Sequence, residues 1–576
     1  MGLISTVQAS CRDCYKCVRS CPVKAIKVIN GHAEVTENRC IADGRCVRVC
    51  PQNAKKIENS IEYVQGLLNS GLKVAASLAP SFTGAFPHYH PGQLVTALKR
   101  IGFYSVGETA EGAQLVAEEH RKLVARIEEP VITSCCPAVV NLMEIYYPRL
   151  LPYLAPIVSP MVAHGKILKQ RFGPDTKVVF IGPCIAKKGE HRENGGQRAI
   201  DAVLTFPELN EMFQWAGISV TDLENGQFDS PVELNSRTFP LPGGLAKSAA
   251  LSTDLLAKEI VTIDGLDEVI DFLNQFDEAK NSLRLVELLA CSGGCITGPE
   301  ILADETQFTR RYSVIHFAEG QAKMADTAAE NISVISEPGL NLTNHYYARE
   351  LNMPKPSEQE IKEILARTGK LKPEDELNCG ACGYNSCRDK AAAVAFGMAE
   401  VDMCIPYMRE RAESKANLIC QMTPNAIFVV SSSLHILEVN PAAENKFSCR
   451  RNQVTGQRLA NIIDPKYFAE ALSSKKLVTG EVSFPAYDII AWQAIFYVEK
   501  DDILIGIFSD MTLEKKQREQ LSRVTDETLE KAQEVINKQM KVAQEIAGLL
   551  GETTAETKVQ LTKLMNLIKN EGRKGD

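Results

Sequence analysis

The chain has 576 residues, 45% hydrophobic and 24% charged, a length and composition that allow several folded domains and exclude a largely disordered protein. It contains 64 Lys and Arg against 72 Asp and Glu, and the net charge of −8 argues against a nucleic-acid-binding protein held by phosphate contacts. No apolar run reaches the roughly 18 residues of a membrane span and no secretory signal peptide is visible, so we expect a cytoplasmic protein with no membrane partner.

The 18 cysteines are concentrated in short motifs, with long cysteine-free stretches between them. A small secreted protein would instead distribute its cysteines through the chain as disulfides. The distribution therefore indicates metal ligands in a reducing compartment.

The sequence predicts a multidomain protein of α+β and α/β segments. Residues 1–58 hold seven cysteines, and residues 59–345 alternate strand-like apolar runs with amphipathic helical stretches, which is typical of an α/β domain. A charged linker follows at 346–375, and residues 376–412 hold four cysteines on a short helical stretch. Residues 413–512 form a mixed segment, and residues 513–576 are polar and helical.

The first motif is Cys11-x2-Cys14-x2-Cys17-x3-Cys21-Pro22. Its spacing is typical of proteins with two 4Fe-4S clusters, in which three thiolates bind one cluster and the fourth binds the neighbouring cluster. A zinc site, the alternative, more often uses two CxxC pairs.

A second copy of this motif has Asp43 where a cysteine is expected, between Cys40 and Cys46. The two copies predict one cluster held by Cys11, Cys14, Cys17 and Cys50, and a second held by Cys21, Cys40, Cys46 and Asp43. A carboxylate is a harder ligand than a thiolate, so this site is a candidate for a labile iron or a 3Fe-4S cluster. Alternatively, Asp43 caps a turn and water or hydroxide completes the site.

Three further segments, at 133–137, 182–188 and 287–295, lie in the predicted α/β domain. They contain Cys135 and Cys136, Cys184, and Cys291 and Cys295, one cysteine more than a cubane needs. Glycines in the last two segments allow the backbone to approach a bulky inorganic group.

With these segments, residues 1 to about 345 resemble the FeFe (iron-only) hydrogenases, whose fold pairs two twisted sheets with helices. The resemblance implies that Cys136, Cys184, Cys291 and Cys295 hold a 4Fe-4S cubane, with Cys295 bridging to a di-iron subsite that carries CO, cyanide and an azadithiolate. It further implies that Cys135 passes protons and that Lys187 bonds a cyanide, although Lys187 could instead be a solvated cation beside Lys188. The remaining pocket-lining residues would be Ala79, Pro80, Ser81, Ser159, Pro160 and Pro183.

The sequence departs from this family in the pocket and in the proton relay. The usual pocket methionines fall at Gly182 and Leu289, and Met161 stands where Gln is frequent. Glu119 aligns with the first relay Glu, but the following Ser and Glu align with Ala155 and Lys122. Since Ala cannot carry a proton, we expect low turnover.

The fourth cluster motif is Cys379-x2-Cys382-x4-Cys387-x16-Cys404. It resembles the small 4Fe-4S domain of corrinoid and electron-transfer proteins, and zinc is the alternative occupant. About four cuboidal clusters are thus expected, including the cubane of the H-cluster.

Residues 413–512 resemble a PAS domain, with an opening hairpin and helix at 424–443 and a final strand that ends in Asp510-x-Thr512. We interpret His435 as a surface residue rather than a haem ligand, and Cys420 and Cys449 as structural thiols.

The C-terminal segment predicts a coiled-coil helix, because apolar residues recur at alternating steps of three and four. A break is expected at Gly551, followed by a second helix with Leu561, Leu564 and Ile568. A parallel homodimer would bury the seam, although the helix could instead pack on its own chain. The seam residues are Leu529, Ala532, Ile536, Ala543, Ile546 and Leu550.

The order of these segments predicts a sensory FeFe hydrogenase that slowly and reversibly oxidises H2 and signals through the PAS domain and the coiled coil. The expected partners are H2 and protons, a ferredoxin or other redox protein, hydrogenase maturation proteins, and a kinase or phosphatase that receives the signal. An ordinary ferredoxin-dependent hydrogenase that uses its C-terminal region only to dimerise is the alternative. A third possibility is an iron–sulfur scaffold that never receives the di-iron subsite.

Overall fold

The structure is a computed structural model, and it describes residues 2–193, 198–229, 232, 234–252, 259–301, 305–325, 339–349, 351, 355–550 and 554–571. The chain forms two compact units, Met1–Met408 and Arg409–Asp576. None of the described helices is long and apolar enough to cross a membrane.

The segment with the first two cysteine motifs contains two small antiparallel sheets. Ile4–Thr6 pairs with Lys55–Ile57, and Ile26–Ile29 pairs with His32–Val35. One short helix, Lys16–Ser20, precedes the strand Ile26–Ile29 and contains the buried Cys17. The other, Arg45–Arg48, precedes the strand Lys55–Ile57 and contains the buried Cys46.

The α/β part of the first unit contains two parallel sheets. One has four strands in the spatial order Ser105–Glu108, Val74–Leu78, Lys177–Gly182 and Ala202–Thr205. The other has three, Ile260–Asp264, Leu285–Leu289 and Val131–Ile132. Every residue of Val74–Leu78 and of Leu285–Leu289 is buried, as expected for parallel strands covered on both faces.

Helices cover these sheets and follow their strands in sequence. The α-helices of this region are Ile61–Leu68, Phe82–Ala85, Pro91–Arg100, Ala110–Arg126, Pro137–Tyr146, Pro160–Phe172, Ala186–Glu193, Phe206–Trp215, Gly244–Ser248, Leu266–Ala279 and Gln307–Ala325. The predicted α/β organisation of residues 59–345 agrees with this arrangement over the described residues.

The predicted linker at 346–375 contains a helix that packs against the last cysteine motif. Within it, the helix Glu358–Ala366 packs against Cys387–Ala395 through Ile364, Leu365 and Ala391. Charge and proline content suggested a linker because this helix is short and buries only a small apolar face. The next helix, Ile405–Met422, begins directly after Cys404 and continues past the predicted boundary at residue 412.

The second unit contains a five-stranded antiparallel sheet. In spatial order its strands are Ile436–Val439, Ala426–Ser431, Ile503–Asp510, Ile489–Val498 and Val478–Phe484. Numbered along the chain, this order is 2-1-5-4-3. Its core is aromatic, with edge-to-face contacts of Phe428, Phe447 and Phe508. The surrounding helices are Pro441–Lys446, Arg451–Val454 and Lys466–Ser474.

Asp510 and Thr512 form a hydrogen-bonded turn at the end of the strand Ile503–Asp510. Asp510 accepts hydrogen bonds from the backbone N–H and the hydroxyl of Thr512, at 3.0 and 2.6 Å, and pairs with Lys446 Nζ at 2.7 Å. His435 is half-buried, and its Nδ1 lies 3.1 Å from the hydroxyl of Ser433.

The C-terminal helices span Thr512–Leu550 and Thr554–Glu571, and they contact one another. Of the predicted seam, Leu529, Ile536 and Ala543 are half-buried, whereas Ala532 and Ile546 are exposed. The predicted break at Gly551 lies outside the described residues, as do the side chains of Leu550 and Ile568.

Candidate metal centres

The carboxyl ends of three parallel strands bring the three cysteine segments to one place. Val131–Ile132 leads to Cys135 and Cys136, Lys177–Gly182 leads to Cys184, and Leu285–Leu289 leads to Cys291 and Cys295. Because ligands bind at this end of parallel sheets, separate segments of sequence can form one site. They line a cavity with an empty volume of about 1030 Å³, whose wall also includes Ala79, Pro80, Ser81, Pro160, Pro183 and Lys187.

Four thiols in this cavity are close enough to perturb one another. The pKa of Cys295 is raised to about 12, mainly by burial and additionally by the charges of Cys136 and Cys184. Burial likewise raises the pKa of Cys291, with additional contributions from Cys295, Cys184 and Cys136. Half-buried cysteines whose thiolate charges would repel one another are poorly placed as free side chains but suit a metal cluster, which binds thiolates and neutralises their charge.

Cys135 faces the same cavity but is accompanied by a carboxyl group. Burial raises the pKa of the Cys135 thiol, and the largest charge that raises it further is that of Glu287. Burial also raises the pKa of Glu287 to about 7, although the backbone N–H groups of Leu245 and Ala246 donate to its carboxylate at 3.3 and 3.4 Å. Glu287 was not predicted as a site residue, although a single acidic residue inside the apolar strand Leu285–Leu289 is a signal that could have identified it.

Lys187 extends toward the cavity and is not a solvated cation, because its side chain is only 13% exposed. Its Nζ lies 3.2 Å from Glu190 Oε2 and donates to Ser159 Oγ at 3.4 Å. Burial opposes its charge, but Glu190 and Cys184 outweigh burial and raise the pKa of Lys187. The residue is therefore a fixed positive charge at the cavity wall.

Two hydroxyl groups predicted to line the pocket occupy different positions. Ser81 is buried on the wall, and its Oγ has no hydrogen-bond partner within the described part of the chain. A buried hydroxyl without a partner fits a site that receives a polar group. Ser159 caps the helix Pro160–Phe172 and contacts the site through Lys187.

The aromatic ring of Phe180 explains the glycine at position 182. A Cβ added to Gly182 would lie 2.7 Å from the Phe180 ring, and Phe180 lines the cavity. Phe180 thus fills space that a methionine at 182 would need. Leu289 and Met161, the other two departures, also line the cavity.

Glu119 is not brought to this cavity. It lies on the helix Ala110–Arg126, its side chain is 40% exposed, and it pairs with Lys122 Nζ at 2.8 Å. Ala155 is buried in the hydrophobic core. The aligned relay positions are therefore a surface ion pair and an apolar residue.

The first cysteine motifs form two neighbouring groups. Burial raises the pKa of Cys40 to about 12, with contributions from Asp43 and Cys21. Burial also raises the pKa of Cys46, again with contributions from Asp43 and Cys21. Burial raises the pKa of Cys17, which is further raised by Cys11 and Cys14. Cys21, Cys40, Asp43 and Cys46 thus lie near one another, as do Cys11, Cys14 and Cys17. Their roles as cluster ligands, and that of Cys50 in the latter set, stay predictions.

Asp43 occupies a position between two centres. Its side chain is 10% exposed, its Oδ2 accepts the Arg45 N–H at 3.4 Å, and it also lines the large cavity beside Cys291. Asp43 therefore faces both the second cysteine group and the site formed by the parallel strands.

The last cysteine motif surrounds a smaller cavity with an empty volume of about 490 Å³. Gly380 and Gly383, with φ of 68° and 96°, allow the tight turns of this loop. The cavity is lined by Cys379, Cys382, Cys387 and Cys404 together with Lys370 and Lys390.

Three family models match separate parts of the chain. The one described as the C-terminal domain of the iron-only hydrogenase large subunit matches residues 72–299. A 4Fe-4S dicluster domain matches residues 3–51, and a putative Fe-S cluster family matches residues 375–406.

Curated relatives include hydrogenases. Iron hydrogenase 1 of Clostridium pasteurianum is 30% identical over 274 residues, 39% of this chain and 48% of that protein. The large subunit of the periplasmic [Fe] hydrogenase of Nitratidesulfovibrio vulgaris is 29% identical over 258 residues, 36% and 61% of the two chains. The chain thus spans about half to three fifths of these relatives. Cytosolic iron-sulfur assembly component 3 of Mus musculus is 28% identical over 160 residues, 24% of this chain and 34% of that protein.

Among solved structures, a variant of the [FeFe]-hydrogenase of Chlamydomonas reinhardtii is 20% identical, with a TM-score of 0.40 over 51% of this chain and 100% of that chain. The PAS domain of an HTR-like protein of Haloarcula marismortui is 17% identical, with a TM-score of 0.17 over 18% of this chain and 96% of that chain.

The site and the family matches define a hydrogenase-like iron–sulfur protein, with an H-cluster domain of the FeFe-hydrogenase type and a two-cluster ferredoxin domain. Its cofactors are 4Fe-4S clusters and the di-iron H-cluster. The prediction of the cofactors is confirmed.

Proposed function

We propose that the chain is a sensory FeFe hydrogenase that reversibly oxidises H2 to two protons and two electrons and reports H2 or redox state to another protein. The main support is the single cavity in which Cys135, Cys136, Cys184, Cys291 and Cys295 meet Lys187. Four of these thiols suffice for a cubane, so Cys135 is left over as a proton carrier.

When bound, the di-iron subsite supplies the chemistry that splits H2. The four thiolates would hold the cubane, and Cys295 would also hold the subsite. Lys187, fixed by Glu190 and Ser159, would offer its ammonium to a cyanide. The hydroxyl of Ser81, which has no hydrogen-bond partner among the described residues, would donate a hydrogen bond to the bound cofactor. Cys135 would move a proton to or from the subsite. Glu287 is the acid–base candidate on the cavity wall with the largest charge effect on the Cys135 thiol.

Electrons would leave through the ferredoxin-like domain. Asp43 lies on the wall of the H-cluster cavity and beside Cys40 and Cys46, so the second cluster would be the neighbour of the cubane. A ferredoxin or another redox protein would serve as the external acceptor, as the sequence predicts.

The second unit supports the sensory part of the proposal. Its 2-1-5-4-3 strand order and the Asp510–Thr512 bonds are those we expect of a PAS domain. The helix Thr512–Leu550 has exposed apolar side chains that a second copy could cover, including Leu521, Val524, Val535 and Val542. A kinase or phosphatase would receive the signal.

Hydrogen–deuterium exchange of the matured full-length protein tests this proposal. Under H2 rather than argon, we expect altered exchange in peptides from 405–422 and 512–550. Cys184→Ser, which lacks one cubane ligand, is the control and should show no response to gas. A protein that turns over H2 but exchanges identically under both gases would instead be an ordinary hydrogenase with a dimerising C-terminal region.

The relationship to iron–sulfur assembly proteins favours a second candidate, a scaffold that carries clusters without hydrogen chemistry. Cys135 and Lys187 distinguish the two candidates, because both would act on the di-iron subsite and a scaffold that holds only a cubane does not require them. A matured chain in which Cys135→Ala and Lys187→Met leave every measurable property unchanged would support the scaffold.

A further inference from the structure

Two lysines face the cavity of the last cysteine motif. Lys370 Nζ lies 3.4 Å from Cys404 Sγ and also donates to the carbonyl and the hydroxyl of Thr368, both at 3.2 Å. Lys390 is only 5% exposed, and its Nζ donates to Val401 O at 2.8 Å. Both ammonium groups are therefore held in place at the cavity.

These two ammonium groups are the charged Lys, Arg, Asp or Glu side chains in the described lining of this cavity. Among the described residues, the lining of this cavity contains neither Asp nor Glu. The second cysteine group differs, because the carboxylate of Asp43 lies among its thiols. A cluster in the last motif would experience two positive charges in addition to the charges of its own four thiolates, whereas Asp43, which pairs with Arg45, replaces a thiolate of equal charge at the second cluster.

The two sites are also neighbours. Arg19 donates to Ala381 O at 3.1 Å, and a Cβ added to Gly383 would lie 3.0 Å from Val18. Tyr384 is packed in the same hydrophobic core as Val18 and Cys21. The loop of the last motif thus rests on the helix that precedes Cys21, a predicted ligand of the second cluster.

We propose that Lys370 and Lys390 raise the reduction potential of the cluster bound by Cys379, Cys382, Cys387 and Cys404, so that an electron shared with the second cluster resides at this site. Nearby charge and hydrogen bonds to cluster sulfurs are established determinants of such potentials. The exchange is balanced, because one electron leaves the second cluster as the last one is reduced. Under the proposed function, the stored electron would lie directly before the helix Ile405–Met422, which leads to the second unit.

An EPR-monitored redox titration of the full-length protein, with its iron–sulfur clusters but without the di-iron subsite, tests this inference at fixed pH. The signal of the last cluster is identified by its loss in Cys387→Ala. Lys370→Gln should lower the equilibrium constant for its reduction at least about tenfold, a negative shift of about 59 mV for one electron. Lys390→Gln should act in the same direction, and Lys370→Arg should retain the wild-type potential.

Lys362→Gln is the matched control, since Lys362 is exposed on the helix Glu358–Ala366 and should leave the potential unchanged. If Lys390→Gln loses iron, Lys370→Gln decides the question. An unchanged potential in Lys370→Gln, or a wild-type last cluster that is harder to reduce than the second, would overturn the inference. Because the titration requires no hydrogen chemistry, its outcome is independent of whether the chain is a hydrogenase.

Discussion

Glu287 and Cys135 both line the H-cluster cavity, and the carboxylate of Glu287 is the largest charge that raises the pKa of the Cys135 thiol. Glu119, aligned with the family relay, is instead paired with Lys122 at 2.8 Å. Proton movement near Cys135 should therefore depend on Glu287 rather than on Glu119.

Replacing Glu287 with Gln should lower H2 turnover by about 10² to 10⁴, the usual contribution of a positioned acid–base group. The rate dependence on pH around 7 should also be lost, since burial places the pKa of Glu287 at about 7. Turnover measured across pH checks both effects.

Glu300 provides the control for this change. Burial also raises its pKa to about 7, with help from Glu208, but Glu300 does not line the cavity. Glu300→Gln and Glu119→Gln should both retain near-native turnover, and a large loss in Glu119→Gln would show that the aligned relay operates after all.

Asp43→Cys should convert any 3Fe signal of the second cluster into a stable 4Fe signal, because a thiolate binds iron more tightly than a carboxylate does. Asp43→Ala removes the carboxylate without adding a ligand and should not produce this change. EPR spectra before and after addition of iron distinguish the variants. An unchanged spectrum in Asp43→Cys would indicate that Asp43 does not face that cluster.

Gly182→Ala should destabilise the first unit by about 1 to 3 kcal/mol, the usual cost of overpacking. The added Cβ would lie 2.7 Å from the Phe180 ring. Phe180→Leu in the same chain should recover part of this loss by vacating the space. Denaturant unfolding checks the pair, and a fully tolerated Gly182→Ala would mean that Phe180 moves freely.

Asp510→Asn should weaken the second unit by about 1 to 2 kcal/mol, because it loses charge-assisted bonds from Lys446 and Thr512. Hydrogen bonds from these groups lower the pKa of Asp510 to about 2, so the stabilisation is present above about pH 4 and is lost as the pH falls toward 2. Thermal unfolding at several pH values checks this. The exposed Asp501→Asn is the control, and an equal loss of stability there would contradict the assignment.

Sequence alone could identify most of the site because cluster ligation depends on local cysteine spacing, which Cys11, Cys14 and Cys17 illustrate. Parallel strands explain why the separated segments at Cys135, Cys184 and Cys291 converge, and the α/β pattern allowed that expectation. Phe180 and Lys370 could not be predicted, because the space that one fills and the sulfur that the other contacts are set by tertiary packing. Lys370 lies in the segment predicted as a linker, because a short helix with a small buried face has a composition similar to that of a linker.

Infrared spectroscopy of the matured full-length protein tests the central claim most directly. Cys136, Cys184, Cys291, Cys295 and Lys187 line one cavity, so we expect bands of CO and cyanide bound to iron. These bands should shift under H2, and Lys187→Met should alter the cyanide bands while Lys362→Gln leaves them unchanged. A matured protein that contains its cubane iron but shows no CO or cyanide bands would contradict the assignment of a hydrogenase and favour the scaffold.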